Sequence, residues 1–346
     1  MNWPKARASR RIGGFLAGLG LMAPVLFSAQ VFKYQKMKPE KGHLIQTVPF
    51  EKWLERNYCG PACLAMALNY WDETRSFSQR KIADEIYDSE SQATYNSELV
   101  LYPRTQGFES YSFQGNLRIL KDLVGQDIPV IVLAKTIKQI AKGHYRVVIG
   151  FDEDKDQIIF NDPYFGDRQA MTSKDFMKVW ELGKGRNQSR WMMAVVPGQS
   201  PFPFPALQND PLTSINLATA YYRRSDFVKS REQWEKAGES LSEDPYPLFS
   251  LGMVSLREGK VEEAEALALK ALNLDGKSAY AHDVLGLAYA SQGKMVQALQ
   301  SLGQALRLAR DEDFINKHYL QVRALYIERA RLEDVQKKEK ANEKTG

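Results

Sequence analysis

Hydrophobic and polar positions fall into three textures along the chain. The first is a long apolar run without a charge, residues 12–32, preceded by Lys5, Arg7, Arg10 and Arg11. About 20 such residues span a bilayer, so the run predicts a transmembrane helix, and the cations before it favour an N-terminus on the inside with the body outside. A cleaved secretion signal is the alternative. Its best small-residue site follows Ala29, where Phe27 stands at the −3 position that prefers a small side chain. The second texture, Thr47 to Pro197, alternates short helical and strand-like runs. Leu64, Leu68 and Trp71 recur at helical spacing behind Pro61, and His144 opens an apolar β-type run followed by an acidic turn and a second strand from Gln157 to Asn161. The third texture repeats every 34 residues. Leu251-Gly252 recurs as Leu285-Gly286, Ala264 as Ala298 and Ala271 as Ala305, with a degenerate earlier copy at Leu217-Ala218, Ser230 and Ala237.

Composition narrows the function classes. The 346 residues are 44% hydrophobic, enough for two domains and too apolar for a mainly disordered chain. The formal charge is +5, but residues 1–38 carry seven Lys and Arg and no acid; removing that +7 from +5 leaves the rest at −2. The basic balance therefore belongs to the terminal segment, and no nucleic-acid partner is expected. Two cysteines, Cys59 and Cys63, exclude a disulfide scaffold and a four-thiolate zinc site. His43, His144, His282 and His318 lack ligand spacing, and no glycine-rich phosphate loop is present, so neither metal nor cofactor is expected.

The chemistry concentrates in the middle. Pro61 suits a first helical turn, which puts Cys59 at a helix N-terminus where the dipole and free amides stabilise a thiolate. Cys63, one turn further in, reads as a small core residue. A nucleophilic thiolate needs a base, and the base an orienting partner. Two adjacent antiparallel strands can bring His144 and Asp162 to one cleft, giving Cys59 as nucleophile, His144 as base and Asp162 as the group that fixes the imidazole.

At these residues the chain resembles the papain-like cysteine peptidases of the bacteriocin-processing type, which trim double-glycine leaders and have many free-standing relatives. The resemblance rests on Asn57-Tyr58-Cys59-Gly60-Pro61-Ala62, on Gly143-His144-Tyr145 with Val147-Val148-Ile149-Gly150-Phe151-Asp152, and on Asn161-Asp162-Pro163. Weaker support comes from Gln126 to Val132, like the family's strand before the histidine, and from Lys174-Asp175-Phe176 through Trp180, like its closing helix. It implies an α+β papain-like domain and peptide-bond cleavage. One departure stands out. The family usually has a glutamine six residues before the nucleophile, helping to form the oxyanion hole; here that residue is Trp53, and Gln46 lies too far back to replace it by spacing. Losing one oxyanion donor typically costs about 10²–10³ in kcat.

The 34-residue period resembles tetratricopeptide repeats and implies an all-α solenoid of helix pairs, with turns at Glu258-Gly259-Lys260 and Gln292-Gly293-Lys294. The expected organisation is an anchor at 1–38, a peptidase-like domain at 47–197, a Pro-rich linker at 198–210, three repeats at 211–312, a closing helix at 313–335 and a disordered charged tail at 336–346. In this resemblance the inner face is formed by Tyr246, Phe249, Met253 and Leu256 in the second repeat and by Leu212, Ile215, Thr219 and Tyr222 in the first. That face suits an apolar peptide or partner helix, or packs against the chain's own elements. The expectation is a membrane-anchored, extracytoplasmic cysteine peptidase acting on a peptide or protein, with repeats for docking. A non-catalytic adaptor, favoured by Trp53, and acyl transfer on the same triad are the alternatives.

Overall fold

The computed structural model describes residues 41–135, 143–183, 189–198, 200 and 202–343. The expected membrane span at 12–32 lies outside the described residues; among those described, no helix is long and apolar enough to cross a membrane. Contacts divide the chain into two compact units, one ending at Tyr221 and the other beginning at Tyr222.

The N-terminal unit opens with β1 (Gly42–Leu44), α1 (Cys59–Trp71), α2 (Gln79–Ile86), a small hairpin of β2 (Tyr87–Asp88) and β3 (Ala93–Thr94), and α3 (Asn96–Thr105). It continues with β4 (Phe108–Gln114), α4 (Leu117–Val124), β5 (Val130–Ala134), β6 (His144–Asp152), β7 (Gln157–Asp162), β8 (Gly166–Thr172), α5 (Ser173–Trp180) and β9 (Trp191–Pro197). The last elements are α6 (Pro205–Gln208) and α7 (Pro211–Arg223), which crosses the division. The main sheet is antiparallel in the order β4-β9-β5-β6-β7-β8, with β1 added to the far end of β6. β5 is buried throughout and β6 everywhere except Phe151, so residues of both strand faces need cover. α1 supplies it on β5, β6 and β9, and α5 on β5, β7 and β8. α1 itself is buried from Cys59 through Leu68, as its nearly unbroken apolar sequence requires.

The Pro-rich stretch expected as a linker is instead packed into this unit. Phe202 is buried and stacks on Tyr111 at 4.4 Å, and Phe204 and Leu207 join the same core. Two phenylalanines carry too much apolar surface to stay solvated when a sheet edge lies beside them. The edge strand β4 is closed by α7. The Thr213 hydroxyl accepts from Ser112 N at 2.9 Å and donates to Ser112 O at 3.0 Å, and Asn216 Nδ2 donates to Ser112 Oγ at 3.1 Å. An edge strand's free backbone groups are thereby satisfied by side chains. Replacing Thr213 by Val keeps the shape and strands both Ser112 backbone groups, so urea unfolding should register a loss of about 1–3 kcal/mol. A change below about 0.5 kcal/mol would place this contact among ordinary surface substitutions.

The C-terminal unit contains α8 (Phe227–Ser240), α9 (Pro245–Arg257), α10 (Val261–Leu274), α11 (Ala279–Ser291), α12 (Met295–Leu308) and α13 (Asp313–Glu343). α9, α11 and α13 start 34 residues apart, as do α8, α10 and α12, so the backbone keeps the period of the sequence. Ala264, Ala268, Ala271, Ala298 and Ala305 are fully buried and let the helices approach closely. The two expected turns place Gly259 and Gly293 at φ +78°, where a side chain would be strained. Of the expected inner-face residues, Leu212, Ile215 and Phe249 are buried, while Thr219, Tyr222, Tyr246, Met253 and Leu256 are half-buried. Phe249 lies 5.2 Å from Tyr246 and stacks on Tyr280 at 5.4 Å; Tyr280 stacks on Phe314 at 5.9 Å. The expected closing helix does not end at 335, nor is 336–346 wholly a disordered tail: α13 runs through Glu343. Its last turns are rich in Lys, Glu and Ala, and i,i+4 ion pairs Arg329–Glu333 and Asp334–Lys338 support them.

Candidate active site

Three elements supply the site. Cys59 is the first residue of α1 and 7% exposed. Ala62 N, bonded to Tyr58 O, is the amide that starts the helical ladder, so the amides ahead of it lie at the positive end of the helix. Asn57 enters the helix from the left-handed region at φ 68°, held by its Nδ2 donating to Gln92 O at 3.0 Å. On the other side of the turn, a Cβ added to Gly60 would lie 2.9 Å from the Thr94 Cβ. Thr94 is itself pinned, since its carbonyl accepts from Tyr145 Oη at 3.1 Å. Gly60→Ala is therefore expected to push β3 from the cysteine turn and to destabilise the unit by about 1–3 kcal/mol, read by urea unfolding; an unchanged midpoint would show that the hairpin yields freely.

His144 is the first residue of β6 and Asp162 the last of β7. Val147 pairs with Asn161, and this register sets the ends of the two strands side by side. His144 Nε2 lies 2.8 Å from Asp162 Oδ1, with the ring 3% exposed and the carboxylate fully buried. The same Oδ1 accepts from Tyr164 N at 2.9 Å and Phe165 N at 3.0 Å, in the turn that Pro163 opens. Oδ2 accepts from Arg146 Nε at 2.7 Å. Burial alone would raise the Asp162 carboxyl, but the His144 bond, the charges of His144 and Arg146 and the Phe165 amide outweigh it and hold it well below the usual carboxylate range. Burial likewise opposes the His144 imidazolium, yet its hydrogen bonds to Asp162 and Cys59 raise it to about 9. The structure thus joins His144 to Asp162 directly, and Cys59, whose Sγ lies 4.0 Å from Asn57 O, is close enough to contribute to the raised imidazole. Both cysteines are free; Cys63 is fully buried, and burial pushes its thiol well up, leaving it a protonated core residue.

Trp53 stands edge-on to the His144 ring at 5.9 Å between centroids and packs against Tyr164 at 4.9 Å. Its amide donates to Pro163 O at 3.1 Å. Buried Gln79 clamps the neighbouring backbone, accepting from Leu54 N at 2.9 Å and donating to Lys52 O at 2.8 Å. Gln46 is exposed, and its carbonyl accepts from Arg168 at 3.3 Å. Arg146, Gln79 and Tyr164 were not singled out from the sequence. Arg146 alone had a usable signal: a lone cation in an apolar strand, two residues from His144 and hence on the same strand face.

Residues 45–187 match the Peptidase C39-like family. The C39-like segment thus carries a cysteine peptidase-related fold, followed by a helical region with tetratricopeptide-like repeats. Among solved structures, the peptidase domain of Streptococcus ComA, a bifunctional ABC transporter of quorum sensing, is similar at 20% identity over 43% of this chain and 98% of its own, with a TM-score of 0.36. The Sgt2 TPR domain from Aspergillus fumigatus is similar at 18% identity over 38% of this chain and 85% of its own, with a TM-score of 0.33. The TPR2B domain of yeast Sti1, solved with an Hsp70 peptide, is similar at 16% identity over 33% of this chain and 97% of its own, with a TM-score of 0.31. No curated protein matches the chain.

Proposed function

We propose that the chain is a cysteine peptidase cleaving a peptide or protein through Cys59, His144 and Asp162, with its repeats docking substrate or partner. The observation that carries this reading is the buried His144 imidazole, bonded to Asp162 Oδ1 through Nε2 at 2.8 Å and raised by both Asp162 and Cys59. With Nε2 engaged, Nδ1 is the ring nitrogen left to exchange a proton with the sulfur. The imidazole is then the base that takes the thiol proton and makes the sulfur nucleophilic. Cys59 Sγ then attacks the scissile carbonyl carbon, His144 delivers its proton to the leaving amine, and water hydrolyses the thioester with the same imidazole as base. The Cys59 amide, at the positive end of α1, is placed to donate to the oxyanion.

The apolar run at 12–32 supports a single-pass anchor with the body on the extracytoplasmic side, and the half-buried aromatic positions of the repeats support protein docking. The second reading, a peptide-binding adaptor without turnover, is favoured by Trp53, which takes the usual glutamine's position and packs against the His144 ring. Incubating the full chain in detergent with a diverse peptide library, and sequencing new termini by mass spectrometry, separates the two. Cleavage that disappears in Cys59→Ala supports the peptidase; peptide capture that survives Cys59→Ala without new termini supports the adaptor.

A further inference from the structure

Arg146 is a feature that the three-residue account leaves unexplained. It precedes the apolar run Val147–Phe151 of β6, is 1% exposed, and donates through Nε to Asp162 Oδ2 at 2.7 Å. Its Nη1 is buried without a hydrogen-bond partner, and its guanidinium carbon lies 5.0 Å from the Phe160 ring centroid. A buried guanidinium pays several kcal/mol in lost hydration, and an apolar side chain of similar size would fill a strand core more cheaply. Simple core filling therefore does not account for it. The charge goes to the one carboxylate oxygen that His144 does not use. Asp162 consequently stands between two cationic side chains, His144 on Oδ1 and Arg146 on Oδ2.

We propose that Arg146 is a positioning residue for this site: it pins Asp162 by its second oxygen, and its fixed charge limits how strongly that carboxylate stabilises the His144 imidazolium. The proposal rests on the reading of Cys59, His144 and Asp162 as a working constellation. An aspartate held by one oxygen can swing about its χ2 torsion and carry the imidazole with it. Held at both oxygens, with Tyr164 and Phe165 amides also on Oδ1, it defines the plane in which the ring meets the sulfur. The charge acts separately from the anchor. A lone buried carboxylate would hold the imidazolium so firmly that the proton is slow to leave for the departing amine. Sharing the carboxylate with a permanent cation weakens that hold. Among the described residues, the charged and titratable groups linked to His144 are Cys59 from α1 and Asp162 from β7, with Cys63 of α1 and Tyr145 of β6 linked to Cys59 in turn; Arg146 of β6 is the permanent cation that bonds this set, at Asp162.

The test is an NMR titration of histidine Cε1 in the full chain, with His144 assigned by removing His43, His282 and His318 in turn. The wild type should show a His144 midpoint at about 9. Arg146→Met should raise it by about one unit, because a like charge has been removed. Arg146→Lys, which keeps charge but not the planar Nε contact, should leave the midpoint near wild type while slowing Cys59 alkylation several-fold at neutral pH. An unchanged midpoint in a folded Arg146→Met, or a lysine variant matching the wild type in both readouts, overturns the role of Arg146 and leaves the triad standing. Should the methionine variant not fold, the lysine variant decides. A wild-type His144 that titrates near 6.5, with Cys59 alkylating as an ordinary thiol, instead overturns the reading on which the proposal rests.

Discussion

Asp162→Asn is expected to destabilise the N-terminal unit by about 3–5 kcal/mol, the scale for removing one partner of a buried ion pair. Asp162 serves four donors at once: His144 Nε2, the Tyr164 and Phe165 amides, and Arg146 Nε. Asparagine offers one acceptor oxygen and one amide. If the oxygen faces the turn amides, the amide meets the Arg146 donor; if it faces Arg146, the two turn amides lose their acceptor. In either rotamer a buried donor is unmet, and Arg146 loses its counter-ion in a place with almost no water. Urea unfolding of Asp162→Asn against the wild type checks this. A cost below about 1 kcal/mol would mean that the buried network relaxes without penalty.

Stability should also depend on pH in a direction set by the same pair. His144 is raised from 6.5 to about 9 in the folded chain. Its contribution is therefore full below pH 6.5 and is lost as pH rises through about 9. Asp162 is shifted the other way, so its contribution is present above the ordinary carboxylate range and is lost as pH falls below about 4. The N-terminal unit should be most stable between about pH 4 and 6.5 and lose on the order of 3 kcal/mol between 6.5 and 9. Urea unfolding across this range in wild type and His144→Gln provides the check, since glutamine removes the titrating ring. A wild-type curve flat from pH 6.5 to 9, or a slope that survives His144→Gln, would contradict the assignment of the imidazolium to this site.

The parts of the fold that were legible in the sequence are those governed by local pattern. Pro61 and the apolar spacing behind it located α1, the run after His144 located β6, and the 34-residue period anticipated the helix starts of the C-terminal unit. Long-range partners were less accessible. Phe202 and Phe204 read as linker residues because proline flanks them, and only the proximity of Tyr111 makes that stretch part of a core. The helix through Glu343 overrode a charged composition that suggested a frayed end. At the site, Cys59, His144 and Asp162 were readable because each lies at an element boundary with a recognisable neighbour. Gln79 was not, since its role comes from folding back on the backbone of Lys52 and Leu54, about 25 residues away. Trp53 was noticed as a departure, but its contact with the His144 ring depends on the Pro163 carbonyl that holds its backbone, a tertiary fact.

The central claim is that His144 activates Cys59. Its most direct test is alkylation of the full chain by an iodoacetamide-type probe across pH, with Cys59→Ala and Cys63→Ala locating the adduct by intact mass. Rapid labelling confined to Cys59 and strongly reduced in His144→Ala is the result expected of an activated nucleophile. Slow labelling with an ordinary thiol profile, the same with and without His144, would contradict it.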